Sequence, residues 1–274
     1  MTREMDHINK GDTYLESGQF EKAIAEFNQA IKLDPTDKDA YRGRGITYAS
    51  LEQFEKTIAD FSKFIKLDPT KSWAYCLRGY TYANLKQYDK AVADYTMGIK
   101  LDPTDAKAYY QRGNSYGNLN QYAQAIADYT IFIQFEPTEA YAYIERGDFH
   151  GKLGQYNKAI ADYSTALQLV PTEASAYLKR GFTFANLEQY AKANADFTLA
   201  IKLAPTNATS YFLRGNTYFD SEQYAKAIAD FTQAIKLDPT NASAYKNRGM
   251  AYQAFGQPQR AEADRKRARE LEME

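Results

Sequence analysis

The chain has 274 residues, which by length alone allows one or two globular domains. Its 34 lysines and arginines stand against 35 acids, so no general attraction to nucleic acid or to an anionic membrane is expected. One cysteine, Cys76, excludes an internal disulfide framework, the opening MTREMDHINKGD lacks the apolar core of a secretory signal, and no apolar run approaches the roughly 20 residues of a membrane span, so a cytoplasmic location without membrane insertion is expected.

The 24 tyrosines point to repetition. The phrase LDPT or a close variant places Pro35, Pro69, Pro103, Pro137, Pro171, Pro205 and Pro239 at intervals of 34 residues. Glycines keep the same spacing from Gly11 to Gly249, and glutamines from Gln19 to Gln257. The chain is therefore eight copies of one unit: 4–37, 38–71, 72–105, 106–139, 140–173, 174–207, 208–241 and 242–274. A fixed period in this range signals an array of stacked supersecondary units.

Each copy predicts two helices. In 106–139, Tyr109, Arg112, Gly113 and Tyr116 fall at helical spacing, as do Ala125, Ile126, Tyr129 and Ile133. GNLNQY supplies the turn between them, and Pro137 closes the second helix. Thr138, like the threonine after each repeat proline, is a candidate N-cap for the next helix. QRGNSYGNLNQY at 111–122 resembles a phosphate loop only superficially, because Gly113 recurs in every copy and no strand precedes it. Gly113 and Ala125 instead mark places where two helices approach closely.

The first copy carries Lys10 before its glycine, and the other seven carry arginine, Arg44 to Arg248. Sixteen residues after each of these cations stands an acid: Glu26 in the first copy, Asp60, Asp94, Asp128, Asp162, Asp196, Asp230 and Asp264 in the rest. In an antiparallel helix pair both places lie at similar distances from the turn, so a partly buried cation–acid pair is expected in each copy. In the second helix the usual alanine gives way to Phe64, Gly98 and Phe132 in consecutive copies, which predicts volume compensation across neighbouring units. The last copy, with Arg265 where others carry Phe or Tyr, reads as a polar capping helix. Pro258 opens that helix, where proline is tolerated.

The order aromatic, Arg, Gly, aromatic, Ala, aromatic, Ala, Pro is seen in one copy as Tyr211, Arg214, Gly215, Tyr218, Ala227, Phe231, Ala234 and Pro239. It resembles the tetratricopeptide repeat (TPR). The resemblance covers about residues 4–274 and implies an all-α, right-handed superhelical solenoid of helix-turn-helix repeats. It also implies that first helices line a concave groove, and that the chain is a scaffold or adaptor binding a protein or peptide ligand.

Positions that vary between copies are free for recognition. If the family geometry holds, those lining the groove include Arg42, Trp73, Tyr80, Tyr110, Asn114, Tyr141, Ile144, Asp148, Phe182, Phe212, Asn216 and Phe219, with Ile8, Asp12, Asp39, Cys76 and Lys107 beside them. Aromatic rings supply contact area at low entropy cost, and amides fix the register of a bound backbone. The family's carboxylate clamp for a chaperone C-terminus needs Lys three before and Asn one after the glycine in one copy. None has both: Asn114 goes with Tyr110, Asn216 with Phe212, and Lys246 with Met250. That argues against a chaperone-tail ligand.

An enzyme is not expected. His7 and His150 lie in copies four apart, Cys76 has no histidine in its copy, and the carboxylates follow the period, so no catalytic, metal or cofactor site is read. Nucleic acid is not expected either, because Arg42, Lys107 and Lys246 mix with Asp12, Asp39 and Asp148. The alternative to an adaptor is a self-associating homo-oligomer, joined through repeat ends such as Met5, His7 and Ile8, or through the groove.

Overall fold

The computed structural model describes residues 2–273, and among them every regular element is an α-helix. They divide into two compact units, before and after the Glu136–Pro137 junction. The first unit holds four helical hairpins. Their first helices are α1 (Arg3–Glu16), α3 (Lys38–Ser50), α5 (Ser72–Asn84) and α7 (Ala106–Asn118). Their second helices are α2 (Phe20–Leu33), α4 (Phe54–Leu67), α6 (Tyr88–Leu101) and α8 (Tyr122–Phe135). The second unit repeats the scheme with first helices α9 (Ala140–Lys152), α11 (Ala174–Asn186), α13 (Ala208–Asp220) and α15 (Ala242–Ala254). They pair with α10 (Tyr156–Leu169), α12 (Tyr190–Leu203), α14 (Tyr224–Leu237) and α16 (Pro258–Leu271).

The turn inside a hairpin is the same in all eight copies. Two residues past the end of each first helix φ turns positive: Gly18, Glu52, Lys86, Asn120, Gly154, Glu188, Glu222 and Gly256. That residue donates three positions back, and the repeat glutamine donates five back, as in Glu52 N–H to Ala49 at 3.0 Å and Gln53 N–H to Tyr48 at 2.9 Å. This pair of bonds satisfies the last carbonyls of the helix and reverses the chain.

The link between hairpins differs from the sequence expectation by one residue. The N-cap is the residue after the threonine, as with Asp37, Asp105 and Asn207, not the threonine itself. Where the link reads D-P-T the threonine turns back instead: Thr36 Oγ1 donates to Asp34 at 2.6 Å, and Thr70, Thr104 and Thr240 do the same. A hydroxyl already given to the aspartate carboxylate two residues back is not available to cap the next helix.

The core is one large ring per hairpin, set against the repeat glycine. Phe27, Phe61, Tyr95, Tyr129, Tyr163, Phe197 and Phe231 are buried in this place. A Cβ added at Gly113 would stand 3.0 Å from the Tyr129 ring, and one at Gly215 would stand 2.8 Å from Phe231. The glycine is therefore a packing position. In the last hairpin Arg265 takes the ring's place. α16 buries only Ala261, Asp264 and Ala268, while Arg265 and Arg269 lie near Glu262, and Arg267 near Glu270.

At Gly98 the expected compensation between neighbouring units falls instead within one hairpin, α5–α6. A Cβ on Gly98 would meet Cys76 Sγ at 2.5 Å, so the missing side chain makes room for the thiol. Phe64 lies against Trp73 at 4.9 Å between ring centroids, and Phe132 against Tyr110 at 5.3 Å.

Candidate functional site

The repeated arginines are structural. In each of the seven copies that carry one, Nε and Nη2 donate to the two carboxylate oxygens of the paired aspartate at 2.6–2.9 Å. The aspartates are buried. A further N–H of six of these guanidiniums reaches the preceding hairpin: Asn28, Ser62, Thr96, Ser164, Thr198 and Thr232 accept from Arg44, Arg78, Arg112, Arg180, Arg214 and Arg248. Aromatic faces three before and four after complete the setting, with Tyr109 and Tyr116 at 5.6 and 5.8 Å from Arg112. No basic ladder is left to greet an anion here.

The first copy departs from this pattern. Lys10 pairs with Asp6 at 2.6 Å, and Glu26 is taken by His7 at 2.5 Å. A lysine offers no planar fork, so one turn of its own helix holds it instead. Ile8 enters the core, while Met5 is exposed.

Within each unit, first helices of successive hairpins meet directly: α1 with α3 and α5 with α7 in the first unit, and α9 with α11, α11 with α13 and α13 with α15 in the second. Several of their remaining side chains are exposed. In the first unit Trp73 is 36 % and Tyr80 50 % exposed. In the second unit Tyr141 is 42 % and Phe182 48 % exposed. The other expected rings lean onto second helices: Tyr110 edge-on to Tyr129 at 5.6 Å, Phe212 on Phe231 at 5.9 Å, and Phe219 on Tyr224 at 5.6 Å. Ile144 is buried in a core cluster with Tyr163 and Leu167.

The polar candidates are engaged as well. Asn114 accepts the Tyr129 hydroxyl, and Asp148 accepts both the Tyr163 hydroxyl at 2.7 Å and Lys179. Asn216 accepts from Asn247 at 2.8 Å, and Arg42 lies between Asp12 at 3.6 Å and Asp39 at 3.3 Å.

Three hollows open between first helices. The first, of about 440 Å³, lies between α5 and α7 and is lined by Trp73, Cys76, Leu77, Tyr80, Tyr95, Asp105, Lys107, Ala108 and Gln111. The second, of about 410 Å³, lies between α9 and α11 beside Asp148, Lys179 and Phe182. The third, of about 240 Å³, lies between α13 and α15 beside Asn216, Phe219 and Met250. Leu77 and Tyr95 were outside the sequence expectation. A signal for Tyr95 does exist: tyrosine replaces phenylalanine as the core ring in three consecutive copies, and Asn114 and Asp148 follow the glycine in two of them.

Burial pushes the Cys76 thiol up to about 12, with Asp105 adding to the effect. Among the described residues no group of His, Cys, Asp and Glu could hold a metal ion, and no helix is long and apolar enough to cross a membrane.

The chain belongs to the tetratricopeptide repeat family. The family model described as TPR repeat matches residues 11–52, 152–188 and 215–256, and models described as Tetratricopeptide repeat match 72–105, 95–127 and 174–207. Among solved structures, MamA is 25 % identical, covers 63 % of this chain and 94 % of its own, and superposes with a TM-score of 0.59. YrrB, described as a TPR protein with an unusual peptide-binding site, is 23 % identical over 67 % of this chain and 95 % of its own, with a TM-score of 0.59. The C-terminal part of a TPR repeat-containing protein from Cytophaga hutchinsonii is 21 % identical over 88 % of this chain and 98 % of its own, with a TM-score of 0.75. The last two likenesses bear on the fold alone. No functionally curated protein matches the chain.

Proposed function

We propose that the protein is a non-enzymatic adaptor that captures a peptide segment of a partner protein on its first-helix faces. The observation that carries this reading is the exposure of Trp73, Tyr80, Tyr141 and Phe182 at positions that vary between otherwise uniform copies. Rings of this size left in water beside hollows are the kind of anchor that interfaces use.

The test is selection of peptides from a displayed library on the full chain, followed by titration of the selected sequences against the emission of Trp73, the single tryptophan. By calorimetric titration, since the variant lacks the tryptophan, Trp73→Ala with Tyr80→Ala should weaken the peptides that move the emission of the unaltered chain. Tyr141→Ala with Phe182→Ala should weaken the rest. Peptides indifferent to both pairs would end the proposal. Light scattering over a concentration series separates it from self-association, which would show a rising mass without any ligand.

A further inference from the structure

A tyrosine at the core-ring position brings a hydroxyl into the interior, where it needs a partner. In the fourth and fifth copies the residue after the glycine provides one: Tyr129 donates to the Asn114 carboxamide oxygen, and Tyr163 to the Asp148 carboxylate. In the third copy that residue is Tyr80, and among the described residues the buried Tyr95 hydroxyl has no partner. Tyr95 is 1 % exposed, yet it lines the hollow between α5 and α7. The walls beside it are Trp73, Leu77 and Tyr80, with Asp105 among the polar groups. Asp105 Oδ1 caps α7 through the Ala108 N–H, and Oδ2 receives the Cys76 thiol at a long 3.8 Å, which leaves acceptor capacity there.

We propose that this hollow takes the carboxamide of a glutamine side chain from a bound peptide, its oxygen accepting from Tyr95 and its amino group donating to Asp105. The proposal rests on the peptide-binding reading above. The fourth copy contains the same chemistry within the chain, a carboxamide oxygen on a core tyrosine. The half-exposed Tyr80, standing where that copy has its acceptor, turns aside as the ligand enters. A hydrocarbon occupant would leave the Tyr95 hydroxyl unsatisfied. A carboxylate would face Asp105, with Asp94 and Asp102 adding to the negative surroundings of Cys76, and with Lys107 as the one cation among the described residues of the lining.

The experiment uses the full chain and three acetylated, amidated tripeptides, Leu-Gln-Leu, Leu-Glu-Leu and Leu-norleucine-Leu, read by Trp73 emission. The glutamine peptide is expected to bind more tightly than the norleucine peptide by at least about tenfold, since it makes two hydrogen bonds that the hydrocarbon cannot. The glutamate peptide should be weaker than the glutamine one. Tyr95→Phe should cut the advantage of glutamine over norleucine severalfold, because only the bond to Asp105 then distinguishes them. Asp105→Asn, which keeps a good helix cap, should bring the glutamate peptide up to the glutamine one. Equal binding of all three peptides to the unaltered chain overturns the carboxamide assignment but leaves the peptide-binding face intact. No emission change with any of them overturns the hollow as a ligand site. The library selection then decides separately whether the faces bind peptides at all.

Discussion

Arg112 and Asp128 form a two-pronged ion pair across the hairpin α7–α8, at 2.8 and 2.7 Å, and a further N–H of the same guanidinium reaches Thr96 on α6 at 3.1 Å. One side chain thus ties three helices. Its aspartate is nearly closed to solvent, so removal of the acid strands a partly buried cation. Asp128→Ala is expected to cost about 3–5 kcal/mol in urea unfolding, several times the effect of an exposed pair. Thr96→Val should cost about 1 kcal/mol, since only a neutral acceptor is lost. A loss at Asp128 no larger than at Thr96 would contradict the role given to the fork.

The core tyrosines should divide by partner. Tyr129→Phe removes a made hydrogen bond and is expected to cost about 1 kcal/mol. Tyr95→Phe removes a hydroxyl with no partner and should be neutral or stabilising by about 1 kcal/mol. Parallel denaturation curves for the two variants decide it. Equal losses would mean that Tyr95 is satisfied after all.

Five hairpin turns place a side chain where φ is positive, Lys86 at 57° among them. The left-handed region costs a residue with a Cβ roughly 1–2 kcal/mol, part of which glycine gives back through its greater freedom when unfolded. Lys86→Gly should therefore stabilise the fold by about 0.5–1 kcal/mol, an increase visible as a higher melting temperature.

Cys76, with its thiol pushed up to about 12 by burial and then by Asp105, should alkylate slowly. At pH 8 its thiolate fraction lies about a thousandfold below that of an exposed cysteine, and the iodoacetamide rate should follow. The folded-state value lies above the ordinary 9.0, so the protonated thiol favours the fold, and this contribution fades as pH rises from 9.0 toward about 12. Rapid labelling at pH 8 would place the thiol in solvent.

The architecture was legible because each copy restates the same constraints: a glycine under a ring, an arginine sixteen residues before its acid, a proline that stops the second helix. Details outside the repeated pattern were less so. Lys10 was expected to reach Glu26, but an ammonium without a fork found Asp6 first. Thr138 was expected to cap a helix, but the residue after each such threonine takes that place. Which rings face water depended on side chains of the facing second helix that one position at a time does not predict. Tyr110 finds Phe132 to lie on, whereas Tyr80 has no such neighbour and stays half exposed.

The reach of six guanidiniums into the preceding hairpin sets where the chain can be shortened. Loss of α1 and α2 would take the Asn28 carbonyl from Arg44, which keeps Asp60, and loss of α15 and α16 would hand the Thr232 hydroxyl to water and uncover the face of α14 that packs on Ala244 and Ala251. A break inside a hairpin would instead separate a cation from its acid. Limited digestion should accordingly trim the ends in steps of 34 residues and yield few fragments of intermediate size.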